Sequence, residues 1–132
     1  LRLESDFAEV LMAAARGDLG GVSLAWKPAP SVCVVMASEG YPGTPRTGVP
    51  ITGIEDAEAL GATVFHAGTR LVPEGLVTSG GRVLGVTDSG DDLASAIRRS
   101  YQAVEKIRFD GMHYRRDIGA KGLKRWAPTR LS

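Results

Sequence analysis

The sequence has little of several features that commonly reveal a function. Of its 132 residues only Cys33 is a cysteine, which excludes an intrachain disulfide and any metal site built from several cysteines. The 16 lysines and arginines are nearly matched by 15 acidic residues, so no strong positive field favours nucleic-acid binding. No segment approaches the roughly 20 apolar residues that span a bilayer. We therefore expect a cytoplasmic protein that contacts neither nucleic acid nor a membrane.

Recognisable catalytic and nucleotide-binding motifs are also missing. The glycine-rich segment 38–48 contains neither the lysine of a phosphate-binding loop nor a GxGxxG unit between a strand and a helix. His66 and His113 have no partner at metal-ligand spacing, and His66 lies in an apolar segment where a structural role is commoner than catalysis. The residues alone therefore indicate no metal site in this chain and name no reaction.

Apolar residues at helical spacing predict two main helices. The first spans 5–17 with Ser5 as its cap, and its apolar stripe on Phe7 and Leu11 needs a partner. The second runs from Asp92 to Ile107 and should lie across a sheet. Shorter helices are predicted over 55–60 and from about Asp117.

Strand-like segments lie between these helices. The β-branched run 32–37 is predicted to be buried on both faces, with Cys33 as a small buried hydrophobe. Ser79–Gly81 can form the tight turn of a hairpin. We expect an α+β fold in which mainly antiparallel strands form a small open barrel or sandwich-like sheet, covered by the long helix. The predicted strands span 22–26, 32–37, 49–54, 63–67, 71–78 and 82–87.

Two adjacent arginines, Arg115 and Arg116, are the chemical feature of the sequence that tells most about function. A guanidinium group stays charged and matches phosphate or carboxylate oxygens two at a time, so the pair suits an anionic ligand. In an extended segment the two side chains would point to opposite sides, whereas a turn could bring both to one ligand. A structural role, with Asp117 steadying an arginine, is also consistent with the sequence.

The segment 38–48 is predicted to be a shaped loop, because three glycines and two prolines occur within eleven residues. It follows the strand predicted at 32–37, and loops at strand ends commonly carry binding groups. Glu39 and Tyr41 could contact a ligand there.

Four segments carry a resemblance to a known family. They are Val32–Gly43, Val64–Thr69, Thr78–Val86 and Tyr114–Gly119. In this order they resemble the C-terminal domain of the phosphoribosylamine glycine ligase family, whose members are ATP-grasp enzymes of purine biosynthesis. Leu3–Phe7 resembles the end of the family's ATP-grasp domain. The resemblance implies that residues 1–20 are the terminal helix of that domain and that residues 21–132 are the C-terminal domain.

The resemblance also implies a reaction and its cofactors. In the family, ATP activates the glycine carboxylate as an acyl phosphate, and the amine of 5-phosphoribosylamine attacks it to give glycinamide ribonucleotide, ADP and phosphate. The intact enzyme would use ATP with magnesium or manganese, held by residues that precede Leu1. We therefore expect this chain to bind no cofactor and to be inactive alone. Its partners would be the N-terminal and ATP-grasp domains of the same polypeptide.

Site residues follow from the same resemblance. Arg115 and Arg116 would hold the phosphate of phosphoribosylamine. Pro45 and Thr47 stand where family members often carry a tyrosine and a lysine, which weakens any role of that loop. The residues implied for the active-site wall are Glu39, Gly40, Tyr41 and His66.

Two other interpretations stay open from the sequence. A stand-alone anion-binding or interaction module of the same fold, without ligase activity, would use Phe7 and Leu11 to bind a partner. A domain of a different ATP-grasp ligase is the other alternative. The sequence motifs Gly-Tyr-Pro-Gly at 40–43 and His-Ala-Gly-Thr at 66–69 argue against it.

Overall fold

The computed structural model describes residues 1–126, in which a long helix crosses one face of a four-stranded antiparallel sheet. The sheet has the strand order β2-β5-β1-β6, and β3 and β4 form a separate two-stranded hairpin. The helices are α1 (Phe7–Arg16), α2 (Ile54–Ala59), α3 (Leu93–Val104) and α4 (Ala120–Trp126). The strands are β1 (Ser31–Ala37), β2 (Thr63–His66), β3 (Thr69–Val72), β4 (Gly75–Thr78), β5 (Arg82–Ser89) and β6 (His113–Tyr114).

One face of the sheet is covered by α3 and forms the core. Side chains alternate across a strand, so every second residue of β1 points toward the helix. Small residues on α3, Ala96 and Ala103, are fully buried and let the helix approach the strands closely. We call this side the covered face; its residues include Val32, Val34, Met36, Val64 and Val86.

The opposite side of the sheet has no element packed over it within the described residues, and we call it the open face. It includes Val35 and Phe65, which both pair with Gly85, and Cys33, which pairs with Thr87. Val35 is 44% exposed and Phe65 is 52% exposed. The prediction that β1 is buried on both faces, with Cys33 inside, is therefore wrong, because Cys33 is exposed.

A buried hydroxyl fixes α3 to the sheet. Ser100 Oγ donates to the carbonyl oxygen of Val32 over 2.9 Å and accepts from the backbone N–H of Asp88 over 3.1 Å. The start of α3 is fixed by a capping box in which Asp92 and Ser95 satisfy each other's backbone N–H groups. The helix is thus anchored at its first turn and near its middle.

The predicted hairpin at Ser79–Gly81 is wrong. Strand β4 pairs with β3, whereas β5 pairs with β1 and β2. The predicted strand 71–78 is instead divided between β3 and β4, which are joined by a turn. A Cβ atom on Gly68 would lie 2.9 Å from Gly80 Cα, so the glycines let the chain cross closely from the hairpin to the sheet.

The predicted strands 22–26 and 49–54 are also wrong. Isolated bridges take their place, between Leu3 and Trp26 and between Thr52 and Arg108. The cap of the N-terminal helix is Asp6, one residue later than the predicted Ser5, since the side chain of Asp6 accepts from the N–H groups of the first turn. Helix α1 buries none of its residues.

The antiparallel α+β architecture with one long covering helix is confirmed. The barrel or sandwich detail is not confirmed, because the strands within residues 1–126 form an open sheet and a separate hairpin.

No helix in the described part of the chain combines the length and the apolar character needed to cross a membrane.

Candidate functional site

The two arginines lie in the turn that links β6 to α4. Arg115 donates from Nε and Nη2 to the two carboxylate oxygens of Asp117, over 2.9 and 2.6 Å. These hydrogen bonds hold the pKa of Asp117 below its ordinary value and raise that of Arg115. Both side chains are exposed. Arg115 is thus engaged by a neighbouring carboxylate and stiffens the turn.

Helix α3 holds this turn through Tyr101. Its hydroxyl donates to the carbonyl oxygen of Arg115 over 2.7 Å and accepts from the N–H of Ile118 over 3.1 Å. Its ring also lies against that of Tyr114, with centroids 6.2 Å apart. The turn closes at Gly119, where φ is +83° and a Cβ atom would lie 2.5 Å from Ile97. The backbone that carries the arginines is therefore fixed by the helix.

Arg116 has a different environment from Arg115. Its guanidinium carbon lies 5.5 Å from the centroid of the Tyr114 ring, in a cation–π arrangement. It lines a cleft of about 670 Å³ at the C-terminal end of α3. The two adjacent arginines thus share one turn and have separate partners. The other residues that line this cleft are Leu60, Gln102, Glu105, Lys106, Arg108 and Tyr114.

The loop after β1 is held to the turn at 110–111 by ion pairs. Arg46 Nη1 donates to Asp110 Oδ2 over 2.7 Å and to Glu39 Oε2 over 3.3 Å. The hydrogen bond to Asp110 is the main cause of a raised pKa at Arg46. Gly40 has a φ of +87°, and a Cβ atom there would collide with the carbonyl oxygen of Thr44. The sequence predicted a shaped loop, and the contact of Arg46 with Asp110 needed the fold to be seen.

Tyr41 borders a groove of about 690 Å³ on the open face. Its ring lies so close to Gly81 that any side chain at that position would collide with it. Phe65 and Arg82 line the same groove. Tyr41 and Phe65 therefore present two partly exposed aromatic rings beside one cationic side chain.

His66 lies elsewhere, beside α2. Its Nδ1 is 3.1 Å from the hydroxyl of Thr69, and its ring borders a cleft that Glu55 and Asp56 also line. The structure therefore places Tyr41, His66 and Arg116 in three separate clefts.

Within residues 1–126, no group of three or more His, Cys, Asp and Glu side chains is placed to hold a metal ion.

Sequence reasoning missed three residues that shape the arginine turn and its cleft. Tyr101 fits the apolar pattern of α3, which predicts a core position, and the two hydrogen bonds of its hydroxyl depend on the fold. Lys106 and Arg108 follow the helix and enter the cleft only through the tertiary fold. No signal in the sequence marks them, because only the fold brings them beside the arginine turn.

Comparisons with known proteins agree with the resemblance. Residues 31–121 match the family described as phosphoribosylglycinamide synthetase, C domain. A chloroplastic phosphoribosylamine–glycine ligase of Arabidopsis thaliana is 52% identical over 127 residues, which cover 94% of this chain and 24% of that protein. The phosphoribosylamine–glycine ligase of Synechocystis is 50% identical over 122 residues, which cover 92% of this chain and 29% of that protein.

A solved structure shares the fold. The crystal structure of phosphoribosylamine–glycine ligase from Thermotoga maritima superimposes with a TM-score of 0.70 at 35% sequence identity, covering 84% of this chain and 27% of that one. This chain therefore spans about a quarter to about a third of the length of the relatives it matches. Because the family match includes the whole four-stranded sheet, α3 and the arginine turn, the chain belongs to the phosphoribosylglycinamide synthetase C-domain family.

Proposed function

We propose that this chain is the C-terminal part of an ATP-dependent ligase of purine biosynthesis. The enzyme joins glycine to 5-phosphoribosylamine and gives glycinamide ribonucleotide, ADP and phosphate. The observation that carries this proposal is the family match over residues 31–121, together with relatives that are named phosphoribosylamine–glycine ligase.

ATP and the divalent cation belong to other parts of the ligase in this proposal. When bound, they supply the activation of the glycine carboxylate. The contribution of the present chain is to bind and orient the ribosylamine substrate and to exclude water from one side of the site. Alone, the chain is not expected to catalyse the reaction.

We assign residues 1–20 to the end of the preceding ATP-grasp domain and residues 21–132 to the C-terminal domain. The family match begins at residue 31, and α1 buries none of its residues. Phe7 is 60% exposed and Leu11 is 54% exposed on α1. Because the chain spans about a quarter to about a third of the length of its relatives, these apolar residues and the open face pack against the remainder of the ligase polypeptide.

The substrate phosphate is assigned to the arginine turn. Arg116 presents its guanidinium group to a cleft and forms no ion pair with the residues that the structure describes. Arg115 fixes the turn through Asp117 and lies one residue away. Loop residues 39–41 and His66 remain proposed parts of the active-site wall, brought to the substrate by the other domains.

Kinetics of the full-length ligase test this assignment. Replacing Arg115 or Arg116 by alanine should raise the KM for phosphoribosylamine far more than the KM for ATP, because Arg116 contacts the phosphate of phosphoribosylamine and Arg115 fixes the turn that carries Arg116. Arg70→Ala is a matched control, since Arg70 is an exposed arginine on the hairpin strand β3. Unchanged KM values for phosphoribosylamine in both arginine variants would remove the phosphate assignment.

A further inference from the structure

Three cationic residues line the cleft at the C-terminal end of α3. Lys106 and Arg108 enter it from the segment after the helix, and Arg116 enters from the turn after β6. Glu105 is the single acidic residue that lines it, and Gln102 adds a neutral amide. The lining thus has an excess of positive charge, which the chain as a whole lacks at a net charge of +1.

The backbone beneath these cations is well fixed. Ile107 is fully buried between Lys106 and Arg108, so the two side chains on either side are directed away from the core. Arg108 and Thr52 exchange two backbone hydrogen bonds of 3.0 Å, which tie the segment to the start of α2. The guanidinium group of Arg108 donates to the carbonyl oxygen of Ile107 over 2.7 Å. The backbone that carries Lys106 and Arg108 is therefore fixed by these contacts.

The charges of these three residues are also available. None of Lys106, Arg108 and Arg116 forms a salt bridge to a residue that the structure describes, whereas Arg46, Arg99 and Arg115 are each paired with a carboxylate. A phosphate monoester accepts several charge-assisted hydrogen bonds from arginine and lysine at once. A cleft lined by three such donors fits that ligand class.

We infer that Lys106 and Arg108, together with Arg116, form the binding site for the phosphate monoester of the ribosylamine substrate. This inference rests on the proposed ligase function and assigns it two further residues. It also separates the two adjacent arginines: Arg116 contacts the phosphate, and Arg115, held by Asp117, positions the turn.

The test compares four single variants of the full-length ligase: Lys106→Ala, Arg108→Ala, Arg116→Ala and the control Arg98→Ala. Arg98 is exposed on α3 outside the cleft. Each cleft variant should raise the KM for phosphoribosylamine by about tenfold while the KM for ATP changes less than about twofold, as expected for one lost charge-assisted contact. Arg108→Lys retains the charge and should recover most of the affinity.

A direct binding probe distinguishes phosphate recognition from a general effect on the enzyme. Ribose 5-phosphate should inhibit the wild type competitively against phosphoribosylamine, and its inhibition constant should rise about tenfold in each cleft variant. Ribose, which has the same sugar without the phosphate, should inhibit all forms equally. Circular dichroism melting should be unchanged, because only exposed side chains are shortened.

Four results would overturn the inference. An effect at Arg116 without any at Lys106 and Arg108 would remove these two residues and leave the proposed function standing. A raised KM for ATP in place of phosphoribosylamine would assign the cleft to a nucleotide phosphate. An equal loss in Arg98→Ala would show a general effect of positive charge. Unchanged kinetics in Arg115→Ala and in all cleft variants would contradict the proposed phosphate site itself.

Discussion

The two faces of the four-stranded sheet carry similar apolar side chains and have different surroundings. On the covered face, Val34 and Met36 are fully buried beneath α3. On the open face, Val35 lies between them in sequence and is 44% exposed. Adjacent residues of one strand thus belong to two environments. The difference teaches that a β-branched run specifies a strand, while burial depends on which elements are present to cover it.

The largest expected effect is a truncation on the covered face. Met36→Ala should lower the free energy of unfolding by about 2–5 kcal/mol, because it removes a fully buried side chain and leaves a cavity. Val35→Ala, one residue away on the open face, should change it by less than about 0.5 kcal/mol. Urea denaturation of the two variants measures the difference. Equal losses would show that the open face is also packed in solution.

A somewhat smaller effect is expected from a buried hydroxyl on the same covered side. Ser100→Ala leaves the carbonyl of Val32 and the N–H of Asp88 without their partner, and should cost about 1–3 kcal/mol. Cys33→Ser, an exchange on the open face, is the comparison and should stay within about 0.5 kcal/mol. Thermal denaturation can rank them, and a greater loss in Cys33→Ser would contradict the assignment of the faces.

Removal of the Tyr101 hydroxyl should affect substrate binding more than stability. Tyr101→Phe keeps the half-buried ring and removes the hydrogen bonds of the hydroxyl to Arg115 and Ile118. In the full-length ligase we expect the KM for phosphoribosylamine to rise by roughly threefold to tenfold, as for one ordinary hydrogen bond, with little change in the KM for ATP. A parallel rise of both constants would point to a purely structural role of Tyr101.

The smallest expected effect concerns the exposed pair of Arg115 and Asp117. The hydrogen bond from Arg115 lowers the pKa of Asp117 below its ordinary 3.8, so this contact is fully present above pH 3.8 and is lost as the pH falls through the lowered pKa. Carbon-13 NMR titration should detect the shift. In Arg115→Ala the pKa of Asp117 should return toward 3.8, and the same lowered value in both proteins would exclude Arg115 as its cause.

The sequence predicted the local elements better than their assembly. The extent of β1, the long helix and the Gly17 end of α1 followed from periodicity and capping, because these signals are local. The hairpin at Ser79–Gly81 failed because pairing depends on which distant strand is available, and β4 pairs with β3. The prediction that Cys33 is buried was wrong because composition does not tell which face of a strand is covered.

Only part of the candidate site could be predicted from the sequence. Arg115 and Arg116 stood out by their chemistry, and the fold places both in one turn. The separation of their partners was not predictable, since it depends on where Asp117 and the ring of Tyr114 lie. The place of Lys106 and Arg108 in the cleft could not be predicted from the sequence, because the cleft forms only when α3 approaches the turn.

The most direct measurement is a crystal structure of the full-length ligase with glycinamide ribonucleotide bound. We predict that the phosphate of the product lies in the cleft at the end of α3, within hydrogen-bonding distance of the Arg116 guanidinium and contacted by Lys106 and Arg108. A phosphate held only by residues outside this C-terminal domain would contradict it.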